Sequence, residues 1–124
     1  MMRVALAGFL FVHGIAHLVG FVVPWRILQA EEMPYGTTLL GGRLEVGDLG
    51  IRLVGLAWLG LTLAFLVCAG FVWLQRPGWP DTVIVLAGTS LVMSVLGSPA
   101  ARLGIPINIV LLALLFGGRA LNWW

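Results

Sequence analysis

Four long apolar runs, separated by short polar or proline-containing stretches, set the pattern of the chain: Val4–Val23, Leu53–Leu74, Thr82–Gly97 and Ile105–Leu121. A helix crossing the hydrocarbon core needs about 20 residues, with roughly 17–25 the usual range. The first two runs meet this. The third does so by taking in Trp79–Asp81 and Ser98, and the fourth holds Gly117-Gly118 and Arg119 near its end. Hydrocarbon offers no partner to a free backbone N–H or C=O, so each run is predicted as helix rather than strand. The expectation is an all-α membrane fold in a single domain, 1–124. It is a four-transmembrane-helix bundle with helices near 4–23, 50–74, 80–98 and 104–121 and a lid loop over 24–48.

The residues between the runs sharpen these boundaries. Pro24 ends the first helix, and Asp48 is a candidate N-cap for the second. Pro80 and Pro106 suit first turns, where a missing N–H costs little. Trp25 on one side, with Trp73, Trp79, Trp123 and Trp124 on the other, sits where an interfacial aromatic belt belongs. Small residues four apart (Ala16/Gly20, Gly60/Ala64, Ser90/Ser94) suit close helix approach. Within the first loop, Thr37–Leu40, Gly41-Gly42 and Arg43–Val46 read as strand, two-residue turn and strand. The two glycines supply the positive φ angles of a tight hairpin. Such a β-hairpin-like element would lie as a lid across the helix ends.

Composition agrees with a lipid environment. Sixty per cent of the residues are hydrophobic and 10% are charged, against about 25% charged in a soluble domain. All seven basic residues are Arg, and five carboxylates leave a formal charge of +2. These arginines form no basic stripe, so nucleic acid is not an expected partner. Cys68 stands alone, which excludes an internal disulfide redox pair; its place in an apolar run reads as packing. Met1-Met2-Arg3 before an apolar stretch imitates a secretory leader, but the stretch is long enough to span and is read as the first transmembrane helix. An even number of spans puts both termini on one side. The arginine counts on the two sides nearly balance, and the free amino terminus tips the expectation toward cytoplasmic termini of a multi-pass cell-membrane protein.

Candidate chemistry centres on His13-Gly14-Ile15-Ala16-His17. Residues four apart share a helix face, and polar side chains within a span default to the bundle interior or a wet cavity. Counted along the helices at about 1.5 Å per residue, Ser90 falls near the depth of His13, and Ser94 and Asn108 near that of His17. Arg52, Asp48 and Glu45 fall at the mouth on the loop side. This gradient suggests a half-polar pocket open toward the first loop and closing near His13. Three readings stand for the histidine pair. Two imidazoles at i and i+4 form half a metal site, completed by Glu45, Asp48, Glu31 or Glu32. As acid–base groups they would move a proton to or from a lipophilic substrate. As structural groups they would hydrogen-bond to Ser90, Ser94, Asn108 or backbone carbonyls and hold the bundle together. Arg52 would snorkel to the interface or pair with Asp48 one turn earlier. No Ser/His/Asp motif, phosphate loop or nucleotide fingerprint is present.

The stretch Leu10–Phe21, with Asp48–Gly55 (Asp-Leu-Gly-Ile-Arg-Leu-Val-Gly), resembles the small bacterial four-helix membrane proteins of the DoxX-like kind. The resemblance implies the architecture alone and carries over no catalytic motif. The expected function is binding or conversion of a lipophilic small molecule. His13, His17, Glu45, Asp48 and Arg52 are the candidate catalytic groups, and Ser90, Ser94 and Asn108 the candidate ligand-binding groups. The alternatives are a non-catalytic subunit of a homo-oligomer or larger membrane complex, and a metal-binding membrane protein. The resident cofactor is unspecified. Membrane lipid is the expected surroundings.

Overall fold

The computed structural model describes all 124 residues. The helices are α1 (Met2–Ala16), α2 (Val19–Val22), α3 (Gly47–Trp73), α4 (Trp79–Leu96) and α5 (Gly104–Ala120), with a small hairpin, β1 (Thr38–Leu39) and β2 (Leu44–Glu45), between α2 and α3. α1 and α2 form one apolar rod of 21 residues. This rod, α3 and α4 are each long and apolar enough to cross a membrane. α5 is equally apolar but has 17 residues; at about 1.5 Å per residue it rises about 25 Å, short of a core about 30 Å thick.

The rod breaks at His17-Leu18 for a local reason. The His17 ring donates from Nδ1 to the His13 carbonyl at 2.7 Å, the acceptor that an unbroken helix would give to the His17 amide. That amide turns instead to the Gly14 carbonyl, and Leu18 follows by bonding to Ile15. The helix tightens for a turn into the i→i+3 pattern of a 3₁₀ segment and resumes as α2.

α3 is the central element, touching α1 and α2 on one side and α4 on the other, while α5 packs on α4. The core gathers along it: Trp58, Leu61, Phe65, Cys68 and Val72 meet Leu10 of α1, Val83 and Ala87 of α4, and Leu111 and Leu115 of α5. Two glycines let α1–α2 approach so closely. A Cβ on Gly14 would lie 2.8 Å from Phe65 Cβ and 3.3 Å from the Thr62 carbonyl, and one on Gly20 would strike the Trp58 indole. Of the small-residue pairs expected at interfaces, Gly20, Ser90 and Ser94 are buried. Ala16 and Gly60 face outward, and nothing lies within 4 Å of a Cβ placed on Gly60. Spacing marks a helix face but not the direction in which it turns.

Both termini lie at one end. Met2 of α1 and Trp123-Trp124 line one apolar groove, Trp79 and Trp124 stack with centroids 5.3 Å apart, and Arg119 pairs with Asp81 at 2.7 Å. The hairpin closes the other end. Its register, Thr38↔Glu45 and Leu39↔Leu44, is the one that the Gly41-Gly42 turn predicts. The Arg43 amide bonds back to the Leu40 carbonyl, with φ 64° and 89° at the two glycines. The ladder is shorter than expected because Leu40 also takes a positive φ of 53°. The Leu40 and Gly41 amides leave the hairpin and bond at 2.8 and 2.9 Å to the carbonyls of Leu96 and Ser98 at the end of α4. A two-stranded hairpin is marginal by itself; these two bonds fasten its tip to the helices.

One boundary is corrected. α3 begins at Gly47, so Asp48 lies inside its first turn and is not its N-cap. The Glu45 carboxylate instead accepts the Gly47 amide at 2.9 Å. Hydrogen bonds from Thr37 and from that amide hold Glu45 below the usual carboxylate range. With a folded pKa below the unfolded one, this contribution is present above the ordinary glutamate pKa and lost as pH falls through the lowered value.

Candidate functional site

His13 and His17 both point inward, each 7% exposed, and meet Ser90 of α4 and Asn108 of α5, both fully buried. His17 Nε2 is 2.6 Å from Ser90 Oγ. Asn108 Nδ2 is 2.9 Å from the same oxygen and 2.8 Å from the Gly104 carbonyl. His13 Nε2 is 3.3 Å from Asn108 Oδ1.

The direction of every bond follows from the two carbonyls, which only accept. The His13 carbonyl requires Nδ1 of His17 to carry a hydrogen, so Nε2 of a neutral His17 accepts and the Ser90 hydroxyl donates to it. The Gly104 carbonyl fixes the amide group of Asn108, whose second N–H donates to Ser90. Asn108 Oδ1 is then left facing His13, and Nε2–H of His13 donates to it. The chain of five bonds is consistent with two neutral imidazoles. A second hydrogen on His17 would make Nε2 a donor and oblige the Ser90 hydroxyl to turn its own proton away. His13 Nδ1 makes no hydrogen bond.

The aromatic surroundings are tight. His13 stacks on Phe9 at 5.5 Å, and Phe65 stands edge-on to it at 5.1 Å. His17 meets Trp58 at 5.2 Å. Ser94 is buried against Gly104, where a Cβ would collide with its hydroxyl, and makes no hydrogen bond to the network. No group of three or more His, Cys, Asp or Glu side chains is placed to hold a metal ion, so the acidic loop residues do not join the histidines as ligands. Cys68 is buried in the core.

Glu45, Asp48 and Arg52 lie apart from the histidines. Asp48 is the hub of a separate cluster: it accepts from the Tyr35 hydroxyl, pairs with Arg26 at 3.3 Å, and lies 3.6 Å from Arg52 Nε. Arg26 covers the Tyr35 ring at 4.4 Å and Arg52 covers Trp25 at 5.6 Å, while the Trp25 indole donates to the Arg52 carbonyl at 3.0 Å. The cluster binds the first loop to the start of α3. Its ion pairs are open to solvent, which screens the attraction, so each adds little to global stability. Asp48→Ala is therefore expected to leave global stability nearly unchanged but to raise amide hydrogen exchange across residues 24–37 at least fivefold. Unchanged exchange there would remove Asp48 as the loop's anchor.

The main cavity lies elsewhere than the depth argument placed it. A chamber of about 850 Å³ sits beneath the first loop, walled by the loop, the ends of α2 and α3 and the α4–α5 turn. Its floor is apolar, with Val23, Ile51, Val54, Trp58 and Leu103. None of His13, His17, Ser90, Ser94, Asn108, Glu45, Asp48 or Arg52 lines it. Trp58 lines the chamber on one side and packs on His17 on the other, so it separates the two. An acid or base must come within about 2.6–3.2 Å of the proton it moves; a molecule in this chamber meets Trp58 first. Glu32 and Arg102 are the two charged residues of the chamber wall; sequence reasoning offered Glu32 only as a possible metal ligand beside the histidines and assigned Arg102 no role in a site. Both lie in connecting segments, where no periodicity shows which way a side chain faces. No known protein family, curated protein or solved structure matches the chain.

Proposed function

We propose that this chain is a four-span integral membrane protein that binds a lipophilic small molecule in the chamber beneath its first loop. Both termini lie on the cytoplasmic side. The resemblance of Leu10–Phe21 and Asp48–Gly55 to the DoxX-like bacterial proteins supports the same architecture. The observation that carries the function is the chamber itself. Its volume falls within the range of about 300–1,000 Å³ typical of small-molecule sites, and its lining is mixed, with 9 of 21 residues hydrophobic, which suits a molecule that has an apolar and a polar part. In this reading α5 crosses a locally thinned bilayer, a modest cost for a short helix. The histidine network holds the helices behind the Trp58 floor and does no proton transfer to the ligand.

The test is mass spectrometry of the protein purified in mild detergent. The wild type is expected to carry a near-stoichiometric amphiphile. Ala100→Trp, at an exposed position of the chamber wall, should lower its occupancy at least fivefold without changing thermal stability. A wild type free of any such molecule, or occupancy indifferent to the Trp, overturns the reading.

The engagement of both histidines in bonds between helices favours a second reading, a non-catalytic subunit of a larger membrane assembly. It predicts an empty chamber and partner chains that co-purify through the apolar helix faces.

A further inference from the structure

The chamber wall holds two charged side chains, from two different elements. Glu32 comes from the first loop and Arg102 from the turn between α4 and α5. Of the other ionic groups at this end, Asp48 is engaged with Arg26, Tyr35 and Arg52 and Glu45 with the Gly47 amide, while Glu31 and Arg43 do not line the chamber. Glu32 and Arg102 form no ion pair, with each other or with any other residue, and no side-chain hydrogen bond of either is present. One free anion and one free cation thus face a single cavity whose floor is apolar.

The depth of the chamber narrows the ligand further. It lies at the ends of the apolar helices, around Val23-Pro24, Ile51 and Leu103. In a bilayer this is the level where hydrocarbon gives way to headgroups. A molecule resting there places its chain on Trp58 and Val54 and its polar group among the loop residues. An anionic headgroup alone would satisfy Arg102 but bring like charge toward Glu32, and a cationic one would do the reverse. A headgroup with both charges meets both walls. A guanidinium suits a phosphate, with its planar fork of donors, and a carboxylate suits a primary ammonium, with its three donors.

Building on the chamber as a ligand site, we propose that its occupant is a zwitterionic amphiphile of the phosphoethanolamine class. Arg102 holds the phosphate, Glu32 holds the ammonium, and the apolar floor takes the chain.

The experiment measures binding of three probes to the full chain in detergent by titration calorimetry: lysophosphatidylethanolamine, lysophosphatidylglycerol and water-soluble glycerophosphoethanolamine. The wild type is expected to bind the first at least tenfold more tightly than the second, and the third at least 100-fold more weakly than the first. Glu32→Gln should bring the two lysolipids within threefold of each other by weakening the ethanolamine lipid. Arg102→Gln should weaken both at least tenfold. Both residues are exposed, so neither variant threatens folding. Equal binding of the two lysolipids by the wild type, or a preference that survives Glu32→Gln, overturns the headgroup assignment. If both lysolipids then still lose affinity in Ala100→Trp, the chamber reading stands while this one falls. Tight binding of glycerophosphoethanolamine alone would overturn the amphiphile in favour of a free polar zwitterion. If no probe responds to Ala100→Trp, both readings fall together.

Discussion

Gly14→Leu is expected to lower the stability of the bundle by about 3 kcal/mol. The hydrogen that stands in place of a side chain at Gly14 lets two helix backbones touch: an added Cβ falls 2.8 Å from Phe65 Cβ and 3.3 Å from the Thr62 carbonyl. Neither is the far end of a flexible side chain. Phe65 Cβ is fixed to its helix and the carbonyl belongs to the backbone, so the helices themselves must part. Overpacking of a tight core costs roughly 1–3 kcal/mol. The displacement also pulls His13 and His17 away from Asn108 and Ser90, and interhelical hydrogen bonds in membranes contribute about 0.6 kcal/mol each, up to about 1.7. The measurement is a denaturing-detergent titration of the purified protein followed by tryptophan fluorescence. Gly60→Leu is the control, because no atom lies within 4 Å of its added Cβ and Leu is the better helix former by about 0.8 kcal/mol. Equal loss in the two variants would show that Gly14 does not set the spacing.

Much of this arrangement is legible in the residues, and the limits have physical causes. Polar groups in apolar helices must find one another, and that requirement alone gathers His13, His17, Ser90 and Asn108 into one set. It does not give helix rotation. Ser94, four residues from Ser90, is also buried yet stays out of the network because it packs against Gly104. Likewise Gly60 turns outward although its spacing with Ala64 resembles an interface. Trp58 is the residue that changes the functional picture most. Nothing in its apolar surroundings tells that its indole separates the histidines from the chamber. The hairpin shows the same division. Gly41-Gly42 fixes the register locally, whereas the docking of Leu40 and Gly41 on the end of α4 is a contact between distant segments that no local pattern encodes. The break at His17 is hidden for another reason. It comes from a side chain taking its own helix's acceptor, and propensity scales do not include that competition.

Asn108→Leu is expected to destabilise the bundle by about 2 kcal/mol, and the size of its coupling to His13 decides what the network is for. The Asn108 amide hydrogen-bonds to both α1 and α4 from α5: it accepts from His13 Nε2 and donates to Ser90 Oγ, and it also donates to the Gly104 carbonyl of its own helix. Leu fills a similar space without polar atoms. It leaves the His13 N–H, 7% exposed, with no acceptor in an apolar interior, and an unmade hydrogen bond of a buried donor costs about 1–3 kcal/mol. The Ser90–His17 bond is spared, because Ser90 donates it. His13→Phe should likewise destabilise by orphaning Asn108 Oδ1. The double variant removes donor and acceptor together, so its loss should fall short of the sum of the single losses by about 1 kcal/mol, within the range for residues in one hydrogen-bonded network. Detergent-unfolding midpoints for the four proteins of this cycle give the number directly. Losses that simply add, to within about 0.3 kcal/mol, would mean that the 3.3 Å contact contributes nothing. His13 would then be free to serve a ligand rather than to join α1 to α5.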